Sequence, residues 1–207
     1  MDTDRVWTHI DAERLRLADV LEGLSEAQWA TPSLCAGWTV RDVAAHLTMA
    51  QSRVRDVLGP AARARFDYNT MVRESARALP VTTAEIPGVL RGFAGSRRKA
   101  PFVSDREPLI DVLVHSQDIC VPLGIDHPMP VEAAAEAADR MIALNRFRPI
   151  RLRAPLRGVR LVATDNDWTS GEGAEVSGPM EALAMLLAGR SSAALPRLRG
   201  DLTALAA

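Results

Sequence analysis

The stretch Leu109-Ile110-Asp111-Val112-Leu113-Val114-His115-Ser116-Gln117-Asp118-Ile119 sets apolar residues on nearly every side of a helical wheel. A helix of that kind is buried on most of its faces, so it needs several neighbours. Against the apolar background Asp111, His115 and Asp118 stand at i, i+4 and i+7, forming one polar stripe. An isolated buried carboxylate is costly, so these groups require partners. A cation shared by Asp111 and His115 would supply one. A direct hydrogen bond from His115 to Asp111 or Asp118, fixing helix packing, would supply another.

Working outward, the spacing predicts the helices that surround this one. Val6, Ile10, Leu17, Val20, Leu21 and Leu24 recur at helical intervals over 3–24. Ser25 and Gln28 read as a capping-box turn, and Thr39 with Asp42 as the cap of a second helix. That helix carries Val40, Val43, Ala44, Leu47, Val54 and Leu58, and Gly59-Pro60 ends it. A third helical region covers 62–99 with a break at Leu79-Pro80; Thr82 and Glu85 offer a fresh cap, and Pro87 falls early enough to be tolerated. The quoted helix starts near Pro108 and stops near Pro122-Leu123-Gly124, and the alanine-rich run 131–147 is a fifth helix. Amphipathic helices on short links indicate a bundle.

The pattern changes after Pro149. Residues 158–164 read as a strand, with shorter strands at Trp168-Thr169 and Glu175-Val176-Ser177 and a helix over Met180–Leu187. The expected fold is α+β and mostly α: a bundle over 1–149, then a small α+β segment over 150–207.

Composition narrows the function. With 25 basic and 26 acidic residues the net charge is −1, and the densest basic run, Arg97-Arg98-Lys99, is too short for a phosphate-binding face. Neither nucleic acid nor an anionic membrane is indicated as a partner. No apolar stretch approaches the roughly twenty residues that span a bilayer. The charged start Met1-Asp2-Thr3-Asp4-Arg5 does not read as a signal peptide, and two cysteines make no disulfide framework, so the expected compartment is the reducing cytoplasm.

His46, on the second helix, sits just off the edge of its apolar stripe, where a side chain can point into an interhelical groove. His46, Asp111 and His115 would make a three-ligand site with an open position, the arrangement of catalytic rather than structural zinc. The competing reading leaves His46 a boundary histidine with a wet ring edge. His9 reads as a surface residue, His127 as a loop residue, and Cys120 as core. Cys35, in a loop before a helix N-terminus, reads as a half-buried structural cysteine more readily than as a nucleophile. Trp38 reads as sealing a bundle end. Phosphate-binding glycine loops and nucleophile elbows are absent from the sequence.

The run from Ser33 to Leu47, which contains Leu34-Cys35-Ala36-Gly37-Trp38-Thr39-Val40-Arg41-Asp42 and His46, resembles the opening signature of the mycothiol-dependent maleylpyruvate isomerase-like proteins. These belong to the DinB-like metal-binding four-helix bundles. Val112 to Ile119 with Pro122-Leu123-Gly124 resembles the family's second signature. Thr164 to Trp168, Gly171-Glu172-Gly173, Val176-Ser177-Gly178 and Gly189-Arg190 resemble its C-terminal part. The resemblance implies that His46, Asp111 and His115 bind a divalent metal, usually taken as zinc. Asp118 would orient a histidine from behind. In the isomerase proper a glutamate stands where this chain has Asp111.

The implied chemistry uses mycothiol, whose thiol enters the open metal position, loses its proton and attacks an electrophilic small molecule. An isomerase would release the thiolate after bond rotation; an S-transferase would leave it attached. The resemblance adds no catalytic residue beyond the metal ligands. It points to Asp165, Asp167, Trp168 and Arg190 as sources of polar contacts to mycothiol, and it leaves room for a homodimer. The alternatives are a non-catalytic small-molecule-binding or resistance protein on the same bundle, and a helical scaffold whose histidines only pack.

Overall fold

The computed structural model describes residues 1–51, 68–99, 103–146 and 158–206. Its contacts divide into two compact units, Met1–His127 and Pro128–Ala207. The expected boundary at 149/150 falls outside the described residues. So do Val54, Leu58, Gly59-Pro60 and positions 62–67 of the predicted second and third helices.

The first unit is helical. Helix α1 spans Thr3–Glu22 and opens on Asp2, whose side chain accepts the Arg5 N–H. Helix α2 covers Glu26–Trp29 and α3 covers Val40–Leu47; both begin with reciprocal capping boxes, Ser25/Gln28 and Thr39/Asp42, as the sequence predicts. Each such cap contributes about 1 kcal/mol. Helices α4, Tyr68–Ala78, and α5, Ile86–Gly92, flank the break at Leu79-Pro80, with Pro87 in the first turn of α5. Thr82 and Glu85 bond to one another in the turn before α5 rather than capping it: the backbone and hydroxyl of Thr82 both donate to Glu85 Oε2.

Helix α6, Arg106–Cys120, lies against α1 and α3. Leu109, Leu113, Ile119 and Cys120 have no exposed surface, as the all-round apolar wheel requires. Leu17, Leu21, Trp29, Val43, Leu47, Ile86, Leu90 and Ile119 form one core from α1, α2, α3, α5 and α6.

In the second unit α7, Val131–Arg146, packs on α8, Met180–Leu187. Strands β1 (Val159–Ala163), β2 (Thr169–Gly171), β3 (Ala174–Gly178) and β4 (Arg199–Gly200) form a sheet of order β2-β1-β3-β4. β1 runs antiparallel to β2 and parallel to β3, with Leu161 opposite Ser170 on one side and Val176 on the other. Val159, Leu161 and Val176 are buried, and α8 packs on β1 and β3. Gly173 takes a positive φ, and any Cβ there would run into the Gly158 backbone. After α8 come a four-residue helix α9, Ser191–Ala194, and two 3₁₀ turns that the periodicity does not reveal.

Candidate metal centre

The loop between α2 and α3 is pinned at both ends. Pro32 and Thr39 form an isolated bridge, and the Val40 N–H donates to the Thr31 carbonyl. At its tip the Leu34 N–H donates to the Asp118 carbonyl of α6 at 3.2 Å. The signature residues beyond it hold α4. Arg41 donates to the carbonyls of Ala76, Leu79 and Val81, and Arg77 on α4 reaches Asp42 and the Gly37 carbonyl. These contacts fix the N-terminal half of α3, and His46 follows one turn later.

His46 Nε2 lies 3.3 Å from Asp111 Oδ1, and His115 Nε2 lies 3.4 Å from the same oxygen. The two imidazole rings meet edge to face with centroids 5.0 Å apart. The three donor atoms thus face one another across two helices and could hold a metal ion. The carboxylate of Asp111, one methylene shorter than glutamate, reaches both histidines. All three side chains keep a partly exposed edge, at 19%, 33% and 16% for His46, Asp111 and His115.

Behind this trio His115 Nδ1 lies 2.8 Å from Asp118 Oδ2, and Asp118 is fully buried. If the ring carries its proton on Nδ1, that nitrogen donates to Asp118 and the Nε2 lone pair points toward Asp111. Cys35 Sγ donates to the same Asp118 oxygen at 3.1 Å. Trp38 meets the His46 ring edge-on at 5.8 Å and packs against the main core, so it borders the site. His46 Nδ1 is buried without a hydrogen-bond partner.

The electrostatics follow from these neighbours. Burial alone would push the Asp111 carboxyl up. The charge and hydrogen bond of His46, then the charges of His115 and Arg14, overcome it and hold Asp111 at about 2. Burial likewise opposes protonation of His46, and the Asp111 charge and hydrogen bond outweigh it and raise its pKa. The pocket thus presents an anionic oxygen and favours positive charge beside it, whether a proton or a metal ion.

Sequence reasoning brings His46, Asp111, His115 and Asp118 to one place but misses Cys35 as their neighbour. His127 is a loop residue, as expected, yet it is buried and pairs with buried Glu13 at 2.6 Å. The four residues singled out for mycothiol belong to the second unit. Asp165 accepts the Met180 N–H at the start of α8, the Trp168 indole donates to Asp139 of α7, and Arg190 donates to the Ala188 carbonyl. Asp167 is exposed in the turn between β1 and β2.

Comparison with known proteins agrees with this architecture. Residues 10–87, which include Cys35 and His46, match the family model of the mycothiol maleylpyruvate isomerase N-terminal domain. No curated protein matches the chain. Among solved structures, the mycothiol-dependent maleylpyruvate isomerase superposes with a TM-score of 0.60 at 11% identity, over 97% of this chain and 93% of that one. A histidine-to-alanine mutant of that isomerase gives 0.62 at 12% identity over the same shares. Residues 10–87 therefore resemble the N-terminal domain of the mycothiol maleylpyruvate isomerase family, and the chain has the fold of the solved isomerase structures.

Proposed function

We propose that the chain is a divalent-metal-dependent enzyme, an isomerase or S-transferase, in which the thiolate of a low-molecular-weight thiol attacks an electrophilic small molecule. The observation that carries this reading is the convergence of His46 Nε2, Asp111 Oδ1 and His115 Nε2 within 3.4 Å contacts at a partly open edge of the helical unit. Two imidazoles and one carboxylate suit zinc and leave a coordination position for a further ligand. When bound, the ion supplies Lewis acidity that makes a thiolate available at neutral pH. Mycothiol is the thiol that the family resemblance favours, and the cytoplasm its expected compartment.

The protein's own part is positional. Asp118 fixes the His115 ring through Nδ1, and Asp111 stays ionised over the whole physiological range. Trp38 walls off one edge of His46 and keeps that flank apolar. The polar residues Asp165, Asp167, Trp168 and Arg190 are proposed contacts for the sugar part of the thiol.

Elemental analysis of protein purified without a histidine tag tests the metal. The expected result is a stoichiometric divalent ion in the native chain and none in His115→Ala. Full retention of metal by that variant would argue against the assignment. A titration with mycothiol followed by an assay with a model electrophile separates an enzyme from a non-catalytic binding protein.

A further inference from the structure

The two ring nitrogens of His115 have different neighbours. Nε2 faces Asp111, whereas Nδ1 faces Asp118 Oδ2 at 2.8 Å and Cys35 Sγ at 3.9 Å. Cys35 Sγ lies 3.1 Å from that same Asp118 oxygen. One sulfur, one imidazole nitrogen and one carboxylate oxygen therefore converge within 4.8 Å, as a donor set that shares only the His115 ring with His46–Asp111–His115. We infer that Cys35, His115 and Asp118 form a second cation site, selective for soft, thiophilic divalent ions of the cadmium type.

The donor chemistry sets the selectivity. Thiolate ligands favour soft ions, and the neighbouring trio offers only nitrogen and oxygen. The spacing is close to what coordination needs. Bonds of about 2.0–2.3 Å, the zinc values, place ligand atoms about 3.3–3.7 Å apart in a tetrahedron, and the larger cadmium ion needs wider spacing still. The 3.9 Å gap from Cys35 to His115 already admits an ion, whereas Asp118 Oδ2, at 2.8 Å from the ring nitrogen and 3.1 Å from the sulfur, has to withdraw. The thiol is held for the purpose. Ser33 Oγ accepts the Cys35 N–H, and the Leu34 N–H is fastened to the Asp118 carbonyl. Cys35 is half-buried, which gives an ion a way in.

Binding is a simple exchange. The Cys35 S–H bond breaks, a sulfur–metal bond forms, and the proton leaves to solvent, with no change of oxidation state. A neutral imidazole has one free lone pair, so His115 serves an ion through Nδ1 or through Nε2. A soft ion on the Cys35 side thereby withdraws His115 from the trio; this competition, unlike the site itself, rests on the function proposed above.

Cadmium titration of the full chain in thiol-free buffer, read by ultraviolet absorption, tests the site. Wild type should develop a thiolate-to-cadmium charge-transfer band. Cys35→Ser should lack it and bind cadmium more weakly, by no less than the roughly 10–100-fold that loss of even an outer metal partner costs. Asp111→Ala and Cys120→Ala should both keep the band. A band that survives Cys35→Ser, or that disappears in Asp111→Ala or Cys120→Ala, would overturn the inference. Should Cys35→Ser fail to fold, cadmium NMR of the wild type reads the ligands directly, and a resonance typical of nitrogen and oxygen donors alone overturns it. A cadmium band in a chain that retains no zinc would leave this site standing and the proposed function without support.

Discussion

The Nδ1 atom of His115 and Oδ2 of Asp118 are 2.8 Å apart, and the carboxylate has no exposed surface. A buried carboxylate behind an imidazole fixes its tautomer and raises its basicity. Asp118→Asn keeps the shape but loses the charge and leaves the proton position on His115 undetermined. Zinc affinity, measured by competition with a chromophoric chelator, should fall about 10–100-fold while far-UV dichroism is unchanged. Equal affinities would show that Asp118 serves packing alone.

Asp111 Oδ1 touches both histidines, so the length of this side chain is matched to the gap between α3 and α6. Asp111→Ala should abolish stoichiometric zinc. Asp111→Glu, which keeps the carboxylate on a side chain one methylene longer, should retain zinc with altered affinity. If Asp111→Ala holds zinc as the wild type does, the oxygen donor lies elsewhere.

Burial, reinforced by the negative charge of Glu13, pushes the Cys120 thiol up to about 12. In the unfolded chain the same thiol ionises near its ordinary value of 9.0. Between these limits the unfolded state binds fewer protons, so stability is complete below about pH 9 and declines as pH rises toward 12. The loss approaches about 1.4 kcal/mol per pH unit. Urea midpoints taken at about pH 8 and about pH 10.5 should fall less steeply for Cys120→Ala than for wild type. Parallel declines would count against an intact buried thiol.

Glu13 and His127 pair across the core of the helical unit, and Gln117 Nε2 also donates to the His127 carbonyl. Among the described residues, His127→Ala leaves the Glu13 carboxylate paired with Arg16 at 2.9 Å. The expected cost is about 2–3 kcal/mol, below that of a fully stranded charge because Arg16 remains. Adding Glu13→Leu should recover part of it in a urea titration. A double variant less stable than His127→Ala would mean that the pair matters less than the volume it fills.

How legible these features are in the sequence depends on the separation of the partners. Asp111, His115 and Asp118 are read together because one helix fixes their spacing, and His46 joins them through the wheel of α3. Cys35 is missed because its position depends on a backbone bond from Leu34 to Asp118, a pairing between distant segments that leaves no periodic trace. Glu13–His127 is missed for the same reason, since a charged residue on a helix normally reads as solvent-facing. The grip of Arg41 on the end of α4 is invisible because its acceptors are carbonyls, which every residue carries. In the second unit alternation reveals β1 and β3, while the two residues of β4 are too few to show a period.

Asp118 spends its backbone oxygen on Leu34 and its carboxylate on both His115 and Cys35. A segment that precedes α3 and a ring that projects from α6 are therefore geared to one residue. A side-chain mutation at that position thus alters the settings of the ring and of the thiol together.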